Sequence, residues 1–143
     1  MNKRTPGAVR CIDVAAGIIW REGRFLGACR PMGRDFAGYW EFPGGKCENG
    51  ECPGDALLRE LTEELGITAR AAAFWQMRTH WYPEKNFEVR LHFFHVTDFS
   101  GEPHAVEGQT LRWVHPAEAA RLNFLPADEP VVAQLCAGAS PGA

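Results

Sequence analysis

The stretch GGKCENGECPGDALLRELTEELGI, residues 44–67, joins a glycine-rich loop to a segment with helical periodicity. Four leucines recur at a spacing that places them on one arc of a helix, at about 100° per residue: Leu57, Leu58, Leu61 and Leu65. Pro53 suits the first turn of such a helix, and Gly66 suits its C-terminal stop. The sequence therefore predicts an amphipathic α-helix over residues 53–65.

The face of this helix opposite the leucines is acidic, because Glu60, Glu63 and Glu64 cluster there. Glu60 and Glu64 are like charges at i,i+4, which destabilise a bare helix by about 0.2–0.5 kcal/mol. A solvated polar face is one explanation for such a cluster. The other is a divalent cation such as Mg²⁺ or Mn²⁺, which prefers oxygen ligands. The helix by itself does not decide between the two.

The loop before the helix supplies the deciding spacing. Gly45 is followed after five residues by Glu51, and after seven more by RELTEELGI, residues 59–67. This is the pattern G-x5-E-x7-R-E-U-x-E-E-x-G-U, in which U is apolar, and it resembles the Nudix box of the nucleoside-diphosphate-linked hydrolases. The pattern restricts nine positions over 23 residues, so it is far more specific than a lone glycine motif. The resemblance implies that the acidic face binds Mg²⁺ or Mn²⁺.

The resemblance extends over about residues 12–136. VAAGIIW, WEFPGGK, EGQ and LPADEP follow one another in the order found in MutT-type enzymes. These segments favour the branch similar to the 8-oxo-dGTP sanitisers and the CTP pyrophosphohydrolases. That branch implies hydrolysis of a nucleoside triphosphate to the monophosphate and pyrophosphate, which sanitises the nucleotide pool and so serves DNA repair.

The same resemblance assigns roles to residues of the box and to one residue outside it. The implied metal ligands and catalytic carboxylates are Glu60, Glu63 and Glu64, with Glu63 either a further ligand or the base that orients water. Two further metal ligands are implied, the Gly44 carbonyl and the Glu107 carboxylate. The box positions with a structural role are Gly45, Glu51, Arg59 and Gly66, and we expect Glu51 and Arg59 to form an ion pair between loop and helix.

Five residues are candidates for substrate binding. Lys46 and Arg30 are the local cations for a triphosphate, and Phe42 and Tyr82 are candidate aromatic residues of a base pocket. Asp128 stands where bacterial 8-oxo-dGTP hydrolases commonly carry Asn. An ionised Asp only accepts hydrogen bonds, so it suits either the N1 and N2 edge of a guanine or the amino group of a cytosine. Alternatively, Asp128 caps a helix that begins near Glu129.

Composition limits the classes of function. The 143 residues fit one domain, with a core over about residues 10–137 and frayed ends. A net charge of −3 gives no basic field for polymeric nucleic acid, and no apolar run is long enough to span a membrane. Five cysteines without Cys-x-x-Cys spacing indicate reduced thiols and a cytoplasmic protein. We expect a monomer or a homodimer.

Strand-like runs on both sides of the helix indicate an α/β domain. The resemblance implies the Nudix fold, an α/β/α sandwich with a mixed sheet whose loop and helix carry the metal site. The loop at residues 40–51 is too glycine-rich to predict a strand beyond a brief one at YWEF. Two alternatives remain: a Nudix hydrolase of ADP-ribose or a dinucleoside polyphosphate, and a non-catalytic Nudix-like binding domain. The second is disfavoured because all three box glutamates are present.

Overall fold

The computed structural model describes residues 10–142 and contains the predicted helix with its predicted bounds, Pro53–Leu65, here α1. Pro53 lies in the first turn. Gly66 ends the helix in the left-handed conformation at φ 70°, donating its N–H to the Thr62 carbonyl. The apolar side of α1 is fully buried against the sheet through Leu57, Leu61 and Leu65, so the leucine periodicity marks the packed face.

Seven strands form one sheet in the described residues. They are β1 (Arg10–Arg21), β2 (Arg24–Cys29), β3 (Trp40–Glu41), β4 (Gly44–Lys46), β5 (Thr68–Tyr82), β6 (Phe87–Ser100) and β7 (Thr110–Val114). The strand order is β3-β2-β1-β6-β5, with β4 paired to β1 and β7 paired to β2. Strands β1 and β6 are parallel, whereas the other pairs are antiparallel. The predicted mixed sheet is confirmed.

Each face of the sheet carries a hydrophobic cluster. One cluster packs beneath α1, and the other packs beneath the C-terminal helix α2 (Glu129–Cys136), whose Val131 and Leu135 are fully buried. Pro130 stands in the first turn of α2, where its missing N–H costs no hydrogen bond. The chain is therefore layered helix, sheet, helix, as the Nudix fold requires. The three remaining helical segments of the described residues are short 3₁₀ turns, Pro83–Lys85, Pro116–Arg121 and Pro126–Asp128.

The expectation that the glycine loop contains no strand beyond YWEF is wrong for Gly44–Lys46. These residues form β4, in which Gly44 pairs with Ala16 and Lys46 pairs with Val14 of β1. A Cβ at Gly44 would collide with the backbone carbonyl of Ala15, so only glycine permits this approach. The glycines therefore bring two backbones close together, a role that strand propensity does not detect.

The predicted frayed ends fall partly outside the described residues, namely at residues 1–9 and 143. In the described part of the C-terminal segment, the Ala137 and Ala139 N–H groups donate to carbonyls of α2. Ala139 also packs against the core on the α2 side. Within residues 10–142, no helix is both long and apolar enough to cross a membrane.

Candidate functional site

A cleft of about 430 Å³ lies beside the glycine strand β4 and the N-terminal half of β1. Its walls differ in character from one end to the other. The predicted metal ligands Glu60, Glu64 and Glu107 act electrostatically on one another, and with the backbone of β4 they form what we call the acidic end. Asp128 lies near Phe42 and Tyr82, and these residues with Leu91 and Leu125 form what we call the apolar end. Such a cleft can hold a molecule that is anionic at one end and aromatic at the other.

The acidic end is assembled by contacts between β4 and α1. A Cβ at Gly45 would overlap the Glu60 carboxyl group, so glycine at this position makes room for that side chain. Arg59 donates to the Glu51 carboxylate at 2.8 Å and to the Lys46 carbonyl at 3.1 Å. The expected ion pair is therefore present, and it connects the loop to the helix. Hydrogen bonding from Arg59 lowers the pKa of Glu51 to about 2, so this carboxylate stays charged at neutral pH.

The carboxyl groups at this end repel one another. Burial raises the pKa of Glu64 to about 8, and the charges of Glu41, Glu107 and Glu60 act in the same direction. Burial also raises the pKa of Glu60. A divalent cation would relieve this repulsion, and carboxylate and carbonyl oxygens are the donors that Mg²⁺ and Mn²⁺ prefer. The donor set therefore fits such an ion in its chemistry.

Not all expected ligands already converge on one point. Within residues 10–142, no group of three or more His, Cys, Asp or Glu side chains is arranged to hold a metal ion. Glu63 does not line the cleft; its carboxylate is more than half exposed and lies 3.0 Å from Arg59 Nη1. The Gln109 amide nitrogen lies 3.5 Å from the Glu64 carboxylate. Simultaneous ligation by these carboxylates requires side-chain rotation, above all of Glu63 away from Arg59.

The two expected phosphate-binding cations both line the cleft, but they differ in whether they are paired with a carboxylate. Arg30 Nη1 lies 3.0 and 3.1 Å from the two Glu41 oxygens, and its Nε donates to the Asp35 carbonyl at 2.7 Å. Lys46 is exposed, and its ammonium group forms no ion pair within the described residues. Arg30 therefore holds Glu41 and the following loop, whereas Lys46 is available to an anion.

At the apolar end, Asp128 is 3% exposed. It stands at the start of α2, but its side chain makes no capping hydrogen bond, so the capping alternative is wrong. Burial raises the pKa of Asp128 well above its usual value, and the charge of Glu41 adds to this rise. A hydrogen bond with the Phe42 backbone acts in the opposite direction. Burial therefore favours the neutral form of Asp128, which has one donor and free acceptor capacity.

The two expected aromatic residues both line the cleft, although each is also packed elsewhere. Phe42 is 5% exposed, and its ring centroid lies 5.3 Å from that of Phe124 in the core. Tyr82 stacks on Phe87 at 5.0 Å. Both rings are therefore fixed walls rather than free side chains, which favours a preformed pocket.

Three residues with polar or charged side chains line the cleft but were not among the sequence candidates: Arg34, Glu41 and Gln109. Glu41 had a detectable signal, since an acid between Trp40 and Phe42 is unusual in an apolar strand. Arg34 had none, because it lies in an irregular loop whose position depends on the rest of the fold.

Known proteins resemble this chain over nearly its whole length. The chain matches the NUDIX domain over residues 12–135. It is 43% identical to the CTP pyrophosphohydrolase of Escherichia coli over 124 residues, covering 87% of this chain and 90% of that protein. It is 40% identical to the 8-oxo-dGTP diphosphatase of Haemophilus influenzae over 127 residues, covering 88% and 92%.

A solved structure shows the same fold. The solution structure of the Escherichia coli ORF135 protein aligns with a TM-score of 0.81 at 39% identity, covering 97% of this chain and 99% of that one. The layered fold, the complete box on β4 and α1, and these matches lead to one assignment. The chain belongs to the Nudix family and is a MutT-like hydrolase.

Proposed function

We propose that this Nudix hydrolase uses Mg²⁺ or Mn²⁺ to hydrolyse a nucleoside triphosphate to the monophosphate and pyrophosphate. One observation carries the proposal: a single cleft has three glutamates at one end and a buried Asp128 among apolar side chains at the other. The first end suits metal-bound phosphates, and the second suits a nucleobase. The curated relatives named for CTP and 8-oxo-dGTP support a triphosphate substrate.

In this proposal, Glu60, Glu64 and Glu107 hold the metal together with the Gly44 carbonyl, and Glu63 joins them after leaving Arg59. The metal, when bound, supplies charge neutralisation at the phosphate oxygens and a more acidic bound water. A box glutamate accepts the proton of the attacking water, and Lys46 contacts the phosphates. Glu51 and Arg59 keep β4 against α1, so that the carbonyl and carboxylate ligands stay on the same side of the cleft.

Burial raises the pKa of Asp128 and so favours its neutral form, which bears on the choice of base. A neutral carboxyl group donates one hydrogen bond and accepts another, so it behaves like the Asn of the bacterial 8-oxo-dGTP hydrolases. An 8-oxoguanine presents an N7–H donor beside the O6 acceptor, and a cytosine presents an amino donor beside the N3 acceptor. Both edges complement a neutral Asp128. The substrate is therefore either 8-oxo-dGTP or a CTP or dCTP derivative.

The proposal includes a cytoplasmic location and a free nucleotide as the ligand. All five cysteines are free thiols, as a reducing compartment favours. The net charge of −3 gives no field that would attract a nucleic-acid polymer.

A substrate panel tests the proposal. The protein is incubated with Mg²⁺ and, in turn, 8-oxo-dGTP, dGTP, CTP, 5-methyl-dCTP and ADP-ribose, and the products are separated by ion-exchange chromatography. We expect pyrophosphate and one monophosphate from 8-oxo-dGTP or from a cytidine nucleotide, and no product with EDTA. Turnover of ADP-ribose alone would support a different Nudix activity. Absence of turnover for the whole panel would support a binding domain.

A further inference from the structure

Arg34 lines the cleft from the loop between β2 and β3. Its side chain forms no hydrogen bond or ion pair with any residue from 10 to 142. Arg30, the other arginine of the cleft, is engaged through its Nη1 with Glu41 and through its Nε with the Asp35 carbonyl. Among the cations that line the cleft in the described chain, Arg34 and Lys46 are thus the two that form no ion pair with a carboxylate.

Arg34 and Glu41 both line the cleft, and the charge of Arg34 acts on Glu41. Burial raises the pKa of Glu41, whereas the positive charges of Arg30 and Arg34 lower it, so Arg34 lies close enough to act on Glu41. After burial, the charge of Glu41 is the largest influence on the pKa of both Glu64 and Asp128. In the chain, Glu41 is adjacent to Phe42 of the apolar end and three residues before Gly44 of the acidic end, and all three line the cleft. We therefore place Glu41 between the two ends, with Arg34 near it.

The loop that carries Arg34 is held in place at its outer side. Asp35 forms an ion pair with Lys85 at 3.2 Å, and Lys85 belongs to the turn between β5 and β6. The Phe36 ring lies 6.4 Å from that of Tyr82 and 6.0 Å from the Lys85 ammonium. These contacts are made by the two residues that follow Arg34 and do not involve its guanidinium group. The loop is therefore anchored next to Arg34, while the Arg34 charge stays available.

We propose that Arg34 is a substrate-binding residue, which contacts the phosphate attached to the nucleoside. The inference rests on the proposed function, since it needs a nucleotide lying along the cleft. A nucleotide with its distal phosphates at Glu60 and Glu64 and its base at Asp128 has its nucleoside-linked phosphate in the middle, beside Glu41. The charge of Arg30 is offset there by its ion pair with Glu41, so a second cation is needed to attract an anion. A guanidinium suits that task, because its N–H groups match two phosphate oxygens at once.

The test compares Arg34→Ala, Arg34→Lys and a control, Arg24→Ala, which removes the same charge from an exposed position outside the cleft. CMP and 8-oxo-dGMP, with cytidine and 8-oxo-deoxyguanosine as phosphate-free counterparts, are titrated into each protein in Mg²⁺ by calorimetry. These probes are products or their nucleosides, so turnover does not interfere. We expect Arg34→Ala to weaken binding of the monophosphate about tenfold and to leave the nucleoside unaffected, as loss of one charge-assisted contact implies. Arg34→Lys should recover part of the affinity, and Arg24→Ala should bind as the wild type.

Kinetics with the matching triphosphate supply a second measurement. We expect Arg34→Ala to raise KM about tenfold while kcat changes less than about twofold, because the contact is made equally in the ground state and the transition state. An Arg34→Ala protein that binds the monophosphate as tightly as wild type overturns the inference, as does a wild type that binds monophosphate no better than nucleoside. The proposed function fails separately, if the wild type releases no monophosphate and pyrophosphate from any triphosphate.

Discussion

The Arg59 guanidinium donates two hydrogen bonds to the Glu51 carboxylate, from Nε at 2.8 Å and from Nη2 at 2.9 Å. Glu51 in turn accepts the Glu48 backbone N–H at 2.9 Å, so the segment from Glu48 to Glu51 is fastened to α1 through Arg59. The box therefore contains residues of two kinds: carboxylates that face the cleft, and a charged pair that fixes the distance between loop and helix. Only the first kind is available to a metal ion.

Glu51→Gln tests the positioning role of this pair. The amide can accept one hydrogen bond from Arg59 but carries no charge, so β4 and α1 should be held less firmly. Groups that orient metal ligands typically contribute 10–100-fold to metal affinity or activity, and we expect a loss of about tenfold in kcat/KM. Glu48→Gln is the matched control, because Glu48 lies 3.8 Å from Arg59 and is exposed. Equal effects of the two substitutions would contradict a positioning role for Glu51.

Glu64→Gln tests the metal-binding role proposed for the acidic end. Burial and the neighbouring carboxylates raise the pKa of Glu64 to about 8, and a bound cation would stabilise the charged form of this group. Loss of one ligand removes several kcal/mol of transition-state stabilisation, which corresponds to a fall in kcat of about a hundredfold or more. Circular dichroism should show an unchanged fold. The control is Glu118→Gln on the surface, and a Glu64→Gln enzyme with a near-normal rate would rule out the proposed ligand.

The stability of the metal-free protein should fall as the pH rises from about 5 to 8. The pKa of Glu64 is raised to about 8 in the folded state from 4.5, so the folded protein binds more protons than the unfolded chain within this window. The free energy of unfolding then falls with pH by at most about 1.4 kcal/mol per pH unit for this group. Urea unfolding in EDTA at pH 5.5, 6.5 and 7.5 measures the slope.

The slope should be smaller in Glu64→Gln, because glutamine has no proton to lose in this range. Asp128 and Glu41 should account for part of the remaining slope, since burial raises the pKa of each. Addition of Mn²⁺ should reverse the trend in the wild type, because metal ligands must be deprotonated and the metal binds better at higher pH. A wild-type protein whose stability in EDTA rises over this range would disprove the raised pKa.

Local signals account for the parts of the fold that the sequence predicted well. Helix α1 begins and ends where Pro53 and Gly66 indicate, because proline and glycine act through their own backbone geometry. Strand β4 could not be predicted in this way, since its pairing depends on the close approach of β1 to Gly44. Glycines in a sequence indicate that another group approaches the backbone closely, but they do not identify that group.

The candidate site, too, could be predicted only in part. The box placed its glutamates on one helix face, and the structure brings Glu60 and Glu64 into the cleft but leaves Glu63 beside Arg59. The partnership of Arg30 with Glu41 and the approach of Arg34 depend on how the loop between β2 and β3 folds back over the cleft. Such contacts join residues whose relation is set by tertiary structure. A spacing pattern along the chain therefore does not contain them.

The raised pKa of Asp128 predicts a pH-dependent base preference. Below its raised pKa, Asp128 donates a hydrogen bond; as the pH rises through that pKa, the donor is lost and the group only accepts. Asp128→Asn keeps a donor and an acceptor at every pH. The quantity to measure is the ratio of kcat/KM for 8-oxo-dGTP to that for CTP between pH 6 and 9.5, because effects of pH on the metal site cancel in this ratio. We expect the ratio to change with pH in the wild type and to be constant in Asp128→Asn. A change in overall rate with the same ratio in both proteins would mean that Asp128 does not contact the base.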